Sequence, residues 1–532
     1  MSIDTPVLIV GGSLNGLTAA LCLAHHGVAC ILVERHPATT VQYKFRGISP
    51  RSMEIFRSLG VEDAVRARDS ADQSHEIARA RNLADPNVQW SGLAWPDTTA
   101  ISPIRPATVD QDRLEPILRE RAAGLGADIR FNTEMIDFEQ DDHGVRARIR
   151  DRTSGAEESV AARYLVAADG ARSAACTALG IRRTGPGVLQ HWMNLIFATD
   201  LPLFLRGKRF TSCFVTDVNG SILPRDSGGN WMLAVQYAPE RGESPGQFDA
   251  AGCLDLVRKA AGRQDVKADL IDARPWEVAG LVAERFGKGR AFLIGDAAHV
   301  IPPTGGFGGN TGIHDAHNLA WKLSFVLNKG ASPSLLDTYD AERRPIAEAT
   351  LAQALARLSS WFKDPTGRLP PPVPAVDDVD VVFGQIYADG AFVHEGAARA
   401  SRFEDPRQPS GRPGSRAPHV AIVRDGETSS TLDLFGQDFV LLCGADGDPW
   451  VRAAGGIRDE TGGGVVAYGI GHDIQDVEGH WLQRYGVTAA GAVLVRPDGI
   501  IAWRASGADE APEATLRSAL RQILGVSPAP AP

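Results

Sequence analysis

The sequence predicts an α/β protein: a doubly wound parallel sheet, an antiparallel sheet inserted into it, and a smaller C-terminal unit. Three observations predict this. The chain opens strand, helix, strand within residues 6–34, which is the order of a parallel βαβ unit. Two later apolar runs, residues 164–168 and 291–294, each stop at an acid, Asp169 or Asp296. Between them, stretches such as residues 231–237 are read as period-two strands of an antiparallel sheet.

In order along the chain, residues 6–10 read as a buried strand, and residues 14–26 carry Leu17, Leu21 and Ala24 on one helical face. Gly27 is a helix stop, and residues 29–34 form the second strand, ending at Glu34. After Asn310, the apolar positions Ile313, Ala316, Ala320, Leu323 and Leu327 keep helical spacing, and a second helix covers residues 341–362. A proline-rich stretch then includes Pro370, Pro371 and Pro372 and predicts an extended linker over residues 363–409. Short strands follow at residues 419–423, 439–442, 465–468 and 492–496, and the chain ends in a proline-alternating tail. The expected units are residues 1–75, 100–180 and 280–362 for the nucleotide-binding fold, 76–99 and 181–279 for the inserted unit, and 410–532 for the C-terminal unit.

Composition narrows the function classes. With 532 residues, 43% hydrophobic and 23% charged, the chain can bury several cores. A net charge of -10 without a Lys or Arg run argues against nucleic acid as a partner. The six cysteines are scattered, with no ligand spacing for a metal. No basic leader precedes the first strand and no apolar run reaches bilayer length, so the expectation is a cytoplasmic protein with no membrane partner. An oligomer is compatible with the sequence, which leaves the state open.

The first turn is Gly11-Gly12-Ser13-Leu14-Asn15-Gly16, a G-x-G-x-x-G variant with Ser13 at the middle glycine. Gly11 permits a tight turn, Gly16 lets the helix approach the strand, and the helix N-terminus suits a pyrophosphate. Glu34, followed by Arg35, stands where an acid accepts from adenosine ribose hydroxyls and repels a 2'-phosphate. That pairing suits FAD or NAD. The longer signature is Gly295-Asp296-Ala297-Ala298-His299 followed by residues 302–310, which include Pro303, Gly306, Gly309 and Asn310. There a strand-end acid can accept from ribityl hydroxyls. The glycine-rich loop can lie against an isoalloxazine ring, and a helix beginning near Gly309 can aim its positive end at that ring.

With these motifs in this order, the chain resembles the FAD-dependent aromatic hydroxylases, the single-component flavoprotein monooxygenases related to p-hydroxybenzoate hydroxylase. The resemblance spans about the first 350 residues. It implies a Rossmann-like FAD-binding domain with an inserted substrate domain, and roles at the flavin for Arg46 and Gln111. Asp169-Gly170 corresponds to a second acid-glycine motif for FAD and pyridine nucleotide, where Cys176 replaces a usual Arg. Arg46 and Asn310 are supporting residues, since the family's chemistry is done by the flavin. Residues 410–507 resemble the thioredoxin-like C-terminal domain of phenol hydroxylase relatives and bacterial aromatic polyketide hydroxylases. Cys443 is the only cysteine there, which predicts no thiol redox activity.

The implied activity is hydroxylation of a small aromatic substrate, of polycyclic polyketide type. NADPH or NADH is the implied reductant, O2 the co-substrate, and the route runs through a C4a-hydroperoxyflavin. Baeyer-Villiger oxygenation of a related polyketide and hydroxylation of a simple phenol are the alternatives. A flavin halogenase is disfavoured, because no Trp-x-Trp-x-Ile-Pro arrangement occurs. His191, Trp192, Trp231 and Tyr237 are candidates to line a flat-substrate pocket. His299 and His314 are expected to be structural.

Overall fold

The computed structural model describes residues 3–40, 42, 45–70, 76–92, 96–225, 229–361, 367, 369–396, 401–457 and 464–526. The proline-alternating tail and part of the proline-rich stretch lie outside them. The N-terminal sheet runs in the order Gly287–Lys288, Ala291–Leu293, Glu157–Ala167, Thr5–Val10, Cys30–Glu34, Asp128–Phe131. The Thr5–Val10 strand pairs in parallel with both neighbours, and the helix Leu14–His25 crosses between the first two strands of the chain. Its stop is as expected, with Gly27 at φ +69°, a backbone that glycine adopts without strain.

A second, largely antiparallel sheet is built on the long strands Arg183–Thr199 and Ala268–Ala283, with Asn230–Tyr237 on the other side of the former. The early insertion joins its far edge, where Glu76–Ala80 runs parallel to Ser212–Val215. At the opposite edge His299–Val300 pairs with Ala268–Ala283, so the segment after Asp296 is tied into this sheet.

Both faces of the second sheet are buried, because residues such as 231–235 are apolar on both sides of the strand. Met193, Leu195, Phe197, Trp231, Leu233, Val235 and Tyr237 pack with the helix Ala250–Ala261 in one core. Trp192, Ile196, Met232, Ala234 and Val278 belong instead to the core of the N-terminal unit.

The proline-rich region is not extended throughout. Residues Asp378–Phe383 form a helix, capped by the Asp377 side chain accepting from Val379 N. Its Val379, Val382 and Phe383 are buried with Phe307 and Ala354. Four apolar residues in six outweigh the local proline content, because they have a hydrophobic surface to cover.

The C-terminal sheet has the order Val465–Gly469, Phe439–Cys443, Ala492–Val495, Ile501–Ala505. Its first pair is parallel and the other two are antiparallel. The helices Asp448–Ile457 and Pro512–Ile523 pack on its Phe439, Leu441 face. This is the arrangement that the thioredoxin-like resemblance implies. The same core takes in Trp321 and Phe325 of the helix Phe307–Asn328, whose rings meet Phe439 edge-on at 5.9 and 5.4 Å. A buried ion network reinforces the seam: Arg496 reaches Glu342 at 2.7 Å and Asp498 at 2.5 Å, and Lys322 reaches Glu342 at 2.9 Å. Among the described residues no helix is long and apolar enough to cross a membrane.

Candidate active site

The first turn needs its glycines for space. A Cβ on Gly11 would stand 2.3 Å from the Ala168 carbonyl oxygen, and one on Gly16 would stand 1.8 Å from that of Gly11. Ser13 sits at the helix N-cap but its hydroxyl does not cap. It donates to Glu115 Oε1 at 2.6 Å and accepts from Gln111 Nε2 at 2.9 Å, so it caps none of the first N–H groups of the helix, of which that of Leu14 is directed to Glu115. Leu14 is buried beneath the turn.

Asn15 ties this turn to the Gly295 signature. A Cβ on Gly295 or on Gly312 would come within 2.0 or 2.3 Å of Asn15 Nδ2, so both glycines make room for one amide. Glu34 accepts from Gly12 N at 2.6 Å and from His36 N at 2.8 Å, which holds its carboxylate beside the turn. Arg35 is exposed next to it. Asp169 follows the strand Glu157–Ala167 and accepts from Ala175 N at 3.0 Å through Oδ2. Cys176 does not face outward there: it is buried, with its thiol directed to the Ile181 carbonyl at 3.4 Å.

Asp296 is exposed in the turn Gly295–Ala297, and Pro303 and Gly306 are exposed in the following loop. The helix begins at Phe307, two residues before the expected start, so Gly309 lies inside its first turn. There a Cβ would stand 2.3 Å from Phe45. Asn310 accepts from Ser49 N at 2.9 Å and donates to the Gly47 and Gly306 carbonyls at 3.0 and 2.8 Å. It therefore clamps the loop to the Gly47–Ile48 strand. A cavity of about 190 Å³ opens between these parts, lined by Arg46, Gly47, Thr108, Gly305, Gly306 and Asn310.

Arg46 is buried and ties the segment before the Gly47–Ile48 strand to the second sheet: its guanidinium donates to the Pro224 carbonyl at 3.0 Å and lies 3.6 Å from Asp110. Arg225 approaches the same Asp110 carboxylate at 3.6 Å. The two histidines are woven into the support of the loop. His299 Nε2 is 2.6 Å from Asp315, which also pairs with Arg343 at 2.9 Å and accepts from Gly295 N at 3.2 Å. His314 meets the Ser52 hydroxyl at 3.3 Å, and burial, with Arg343 and Arg51 nearby, holds its pKa well below the usual value.

The four aromatic candidates are not brought together. His191 and Tyr237 pair at 5.6 Å, and Trp231 packs on Phe210 at 6.0 Å, all on the face turned to the helix Ala250–Ala261. Trp192 alone is on the face shared with the N-terminal unit, stacked at 6.0 Å on Trp276. Trp192 donates to Gln190 at 3.0 Å and Trp276 to Asn194 at 2.6 Å, which fixes both rings. Trp276 stands opposite Trp192 on the neighbouring strand Ala268–Ala283, and Gln190 and Asn194 flank Trp192 two residues either side on its own strand; sequence reasoning missed all three.

The buried polar atoms fit a dinucleotide. Asn15 Oδ1, Gln111 Oε1 and Asp169 Oδ1 are buried with no hydrogen-bond partner among the described residues, and buried polar groups ordinarily have one. They surround a glycine turn at a helix N-terminus. Among the described residues no His, Cys, Asp and Glu group could hold a metal ion. A parallel sheet with this turn, a strand-end acid and a glycine loop on a helix start defines a dinucleotide-binding fold of the kind that takes FAD or NAD.

Residues 4–354 match the family model of the FAD binding domain, and residues 410–527 match that of the aromatic-ring hydroxylase C-terminal domain. Tetracenomycin A2 monooxygenase-dioxygenase of Streptomyces glaucescens is 41% identical, over 98% of this chain and 97% of its own. 4-Methyl-5-nitrocatechol 5-monooxygenase of a Burkholderia species is also 41% identical, over 98% of both chains. The crystal structure of aklavinone-11 hydroxylase with FAD and aklavinone superposes with a TM-score of 0.92 at 38% identity, over 99% of this chain and 100% of the other. The chain belongs to the FAD-dependent aromatic-ring hydroxylases, flavoprotein monooxygenases that use oxygen as co-substrate.

Proposed function

We propose that this monooxygenase hydroxylates a planar, polycyclic aromatic substrate of polyketide type in the cytoplasm, with NADPH or NADH as reductant. FAD, when bound, supplies the redox chemistry that activates oxygen; the chain supplies binding, orientation and water exclusion. In this reading the turn Gly11–Gly16 offers helix N–H groups to the diphosphate, and Glu34 accepts from the ribose. Asp296, Asp169 and Gln111 hold the ribityl and ring edges. The loop from Pro303 to Gly309 forms a wall, kept in place by Asn310 through its clamp on Gly47. Arg46 links that wall to the substrate sheet.

The observation that carries the substrate class is the Trp192–Trp276 stack, a flat and hydrogen-bond-fixed surface on the sheet face turned toward the FAD-binding unit. Offset-stacked aromatic surfaces favour another flat ring system. The likeness to the aklavinone and tetracenomycin enzymes supports the same class. A simple phenol is the second reading, favoured by the equal identity to the nitrocatechol enzyme.

The test is NADPH consumption with product mass, for a panel of naphthacenequinones and nitrocatechols, on the wild type and Trp276→Ala. Tetracyclic compounds should be consumed with gain of one oxygen. For these Trp276→Ala should raise KM about tenfold, the scale of one lost aromatic contact with its buried area. Turnover confined to the nitrocatechols would replace the proposal by the second reading.

A further inference from the structure

The helix Gln111–Gly124 carries, one turn in, a carboxylate that a dinucleotide turn does not require. Glu115 is wholly buried. Its Oε1 accepts from Ser13 Oγ at 2.6 Å and Gln111 Nε2 at 2.7 Å, and its Oε2 from Thr40 N at 3.0 Å. Burial raises its pKa above the usual carboxylate value, opposed by these same donors.

This carboxylate decides the polarity of two neighbours. A side-chain amide has a donor end and an acceptor end, and beside an acceptor-only group just the donor end fits. Gln111 therefore turns its NH2 to Glu115 and Ser13. Its Oε1 faces away, buried and with no partner among the described residues. The Ser13 hydroxyl gives its proton to Glu115 and takes one from Gln111, so its hydrogen-bond direction is fixed as well. A serine at the middle glycine of the turn is compatible with a nearby diphosphate because its side chain is drawn to the Gln111 helix.

We propose that Glu115 is a positioning residue of the cofactor site: it orients Gln111 so that the amide oxygen is presented as an acceptor to a hydroxyl or N–H group of FAD, and it draws the Ser13 hydroxyl away from the diphosphate. The proposal rests on the placement of FAD given above. It accounts together for the departure from the glycine pattern, the triangle of hydrogen bonds and the orphan oxygen. Glu115 acts through Ser13 and Gln111, not on the reacting atoms.

The experiment is titration of apoprotein with FAD, followed by flavin fluorescence, beside melting curves taken without FAD. The variants are Glu115→Ala, Glu115→Gln, Gln111→Ala, the double variant Gln111→Ala with Glu115→Ala, and Asp296→Ala. Glu115→Ala and Gln111→Ala should each weaken FAD about tenfold, the loss of one hydrogen bond at a buried site. The double variant should be no weaker than Gln111→Ala alone, since the group that Glu115 orients is already gone. Glu115→Gln keeps an acceptor oxygen for Gln111 and Ser13 and should restore affinity to within about threefold. It should still melt lower, having lost its acceptor for Thr40 N. Glu115→Met replaces the alanine variant if that one does not fold.

Unchanged FAD affinity in a folded Glu115→Ala, or losses that simply add in the double variant, would overturn the proposal. The effect of Asp296→Ala separates the two levels. If it weakens FAD while Glu115→Ala does not, only the role of Glu115 fails; if neither does, the placement of FAD fails with it.

Discussion

The cofactor cleft and the seam with the C-terminal unit are both rich in buried polar groups, and they differ in how their charges are paired. At the seam, Glu342 receives Arg496, Asn318 and the Ala391 N–H, and Arg496 forks onto Glu342 and Asp498. Burial alone would raise the pKa of Asp498, yet the Arg496 guanidinium holds it at about 2. At the cleft, Asn15, Gln111 and Asp169 each keep a buried oxygen with no partner among the described residues, and Asp296 is exposed. A seam that must close once pairs its buried charges with one another, although Asn318 Oδ1 and Trp321 Nε1 there stay without a hydrogen-bond partner among the described residues. A cleft that must accept a ligand leaves acceptors over and invests its satisfied groups, such as Asn310 and Asp315, in holding the frame.

If that contrast is right, damage at the seam should cost stability and damage at the cleft should cost affinity. The largest effect is expected from Arg496→Met, which leaves the Glu342 and Asp498 carboxylates buried without their guanidinium, Glu342 keeping its pair with Lys322. Breaking a buried pair on one side typically costs about 3–5 kcal/mol. The variant should unfold at much lower urea concentration while its folded fraction binds FAD as tightly as wild type. A selective loss of FAD affinity would mean that the seam also shapes the cleft.

Asp296→Ala should behave in the opposite way. A charge-assisted hydrogen bond to a ligand is worth about 1.5–3 kcal/mol, so FAD affinity should fall about ten- to a hundredfold. The apoprotein melting curve should barely move, because Asp296 is exposed. A lower melting temperature with intact FAD affinity would make Asp296 a plain turn residue and erase the contrast at its main point.

What was legible in the sequence follows the same division. The opening βαβ unit, the strand-end acids and the glycine loop are local patterns, and each element lies within a few residues of its expected place. Residues 231–237 read as a strand of an antiparallel sheet, but a period of two does not say which face meets the FAD-binding unit. Trp231 and Tyr237 are therefore placed away from Trp192. The helix Asp378–Phe383 was hidden by the prolines before it, although Val379, Val382 and Phe383 have the i, i+3, i+4 spacing of one helix face. Glu115 was legible only as an acid four residues after Gln111, flanked by Leu114 and Leu118; that such an acid is buried is decided by Ser13, roughly a hundred residues away. Long-range charge pairs such as Glu342 with Arg496 leave no local periodicity at all.

The smallest effect is expected at Cys443, the only cysteine of the C-terminal unit. A thioredoxin-like sheet invites the idea of thiol chemistry, but the physical conditions for it are missing at this residue. It is fully buried at the end of the strand Phe439–Cys443. Burial, with Asp473 and Asp448 adding to it, pushes its thiol up to about 12. The reactive form is the thiolate, so at neutral pH Cys443 is a small apolar core group. Cys443→Ala should then cost about 1 kcal/mol, the scale of one buried methylene-sized group. It should leave FAD affinity and the ratio of product formed to NADPH consumed unchanged. That ratio is the decisive measurement, because a core role cannot alter it without altering stability. Uncoupled NADPH oxidation in a variant of wild-type stability would show that the C-terminal unit takes part in turnover as well as in holding the seam closed.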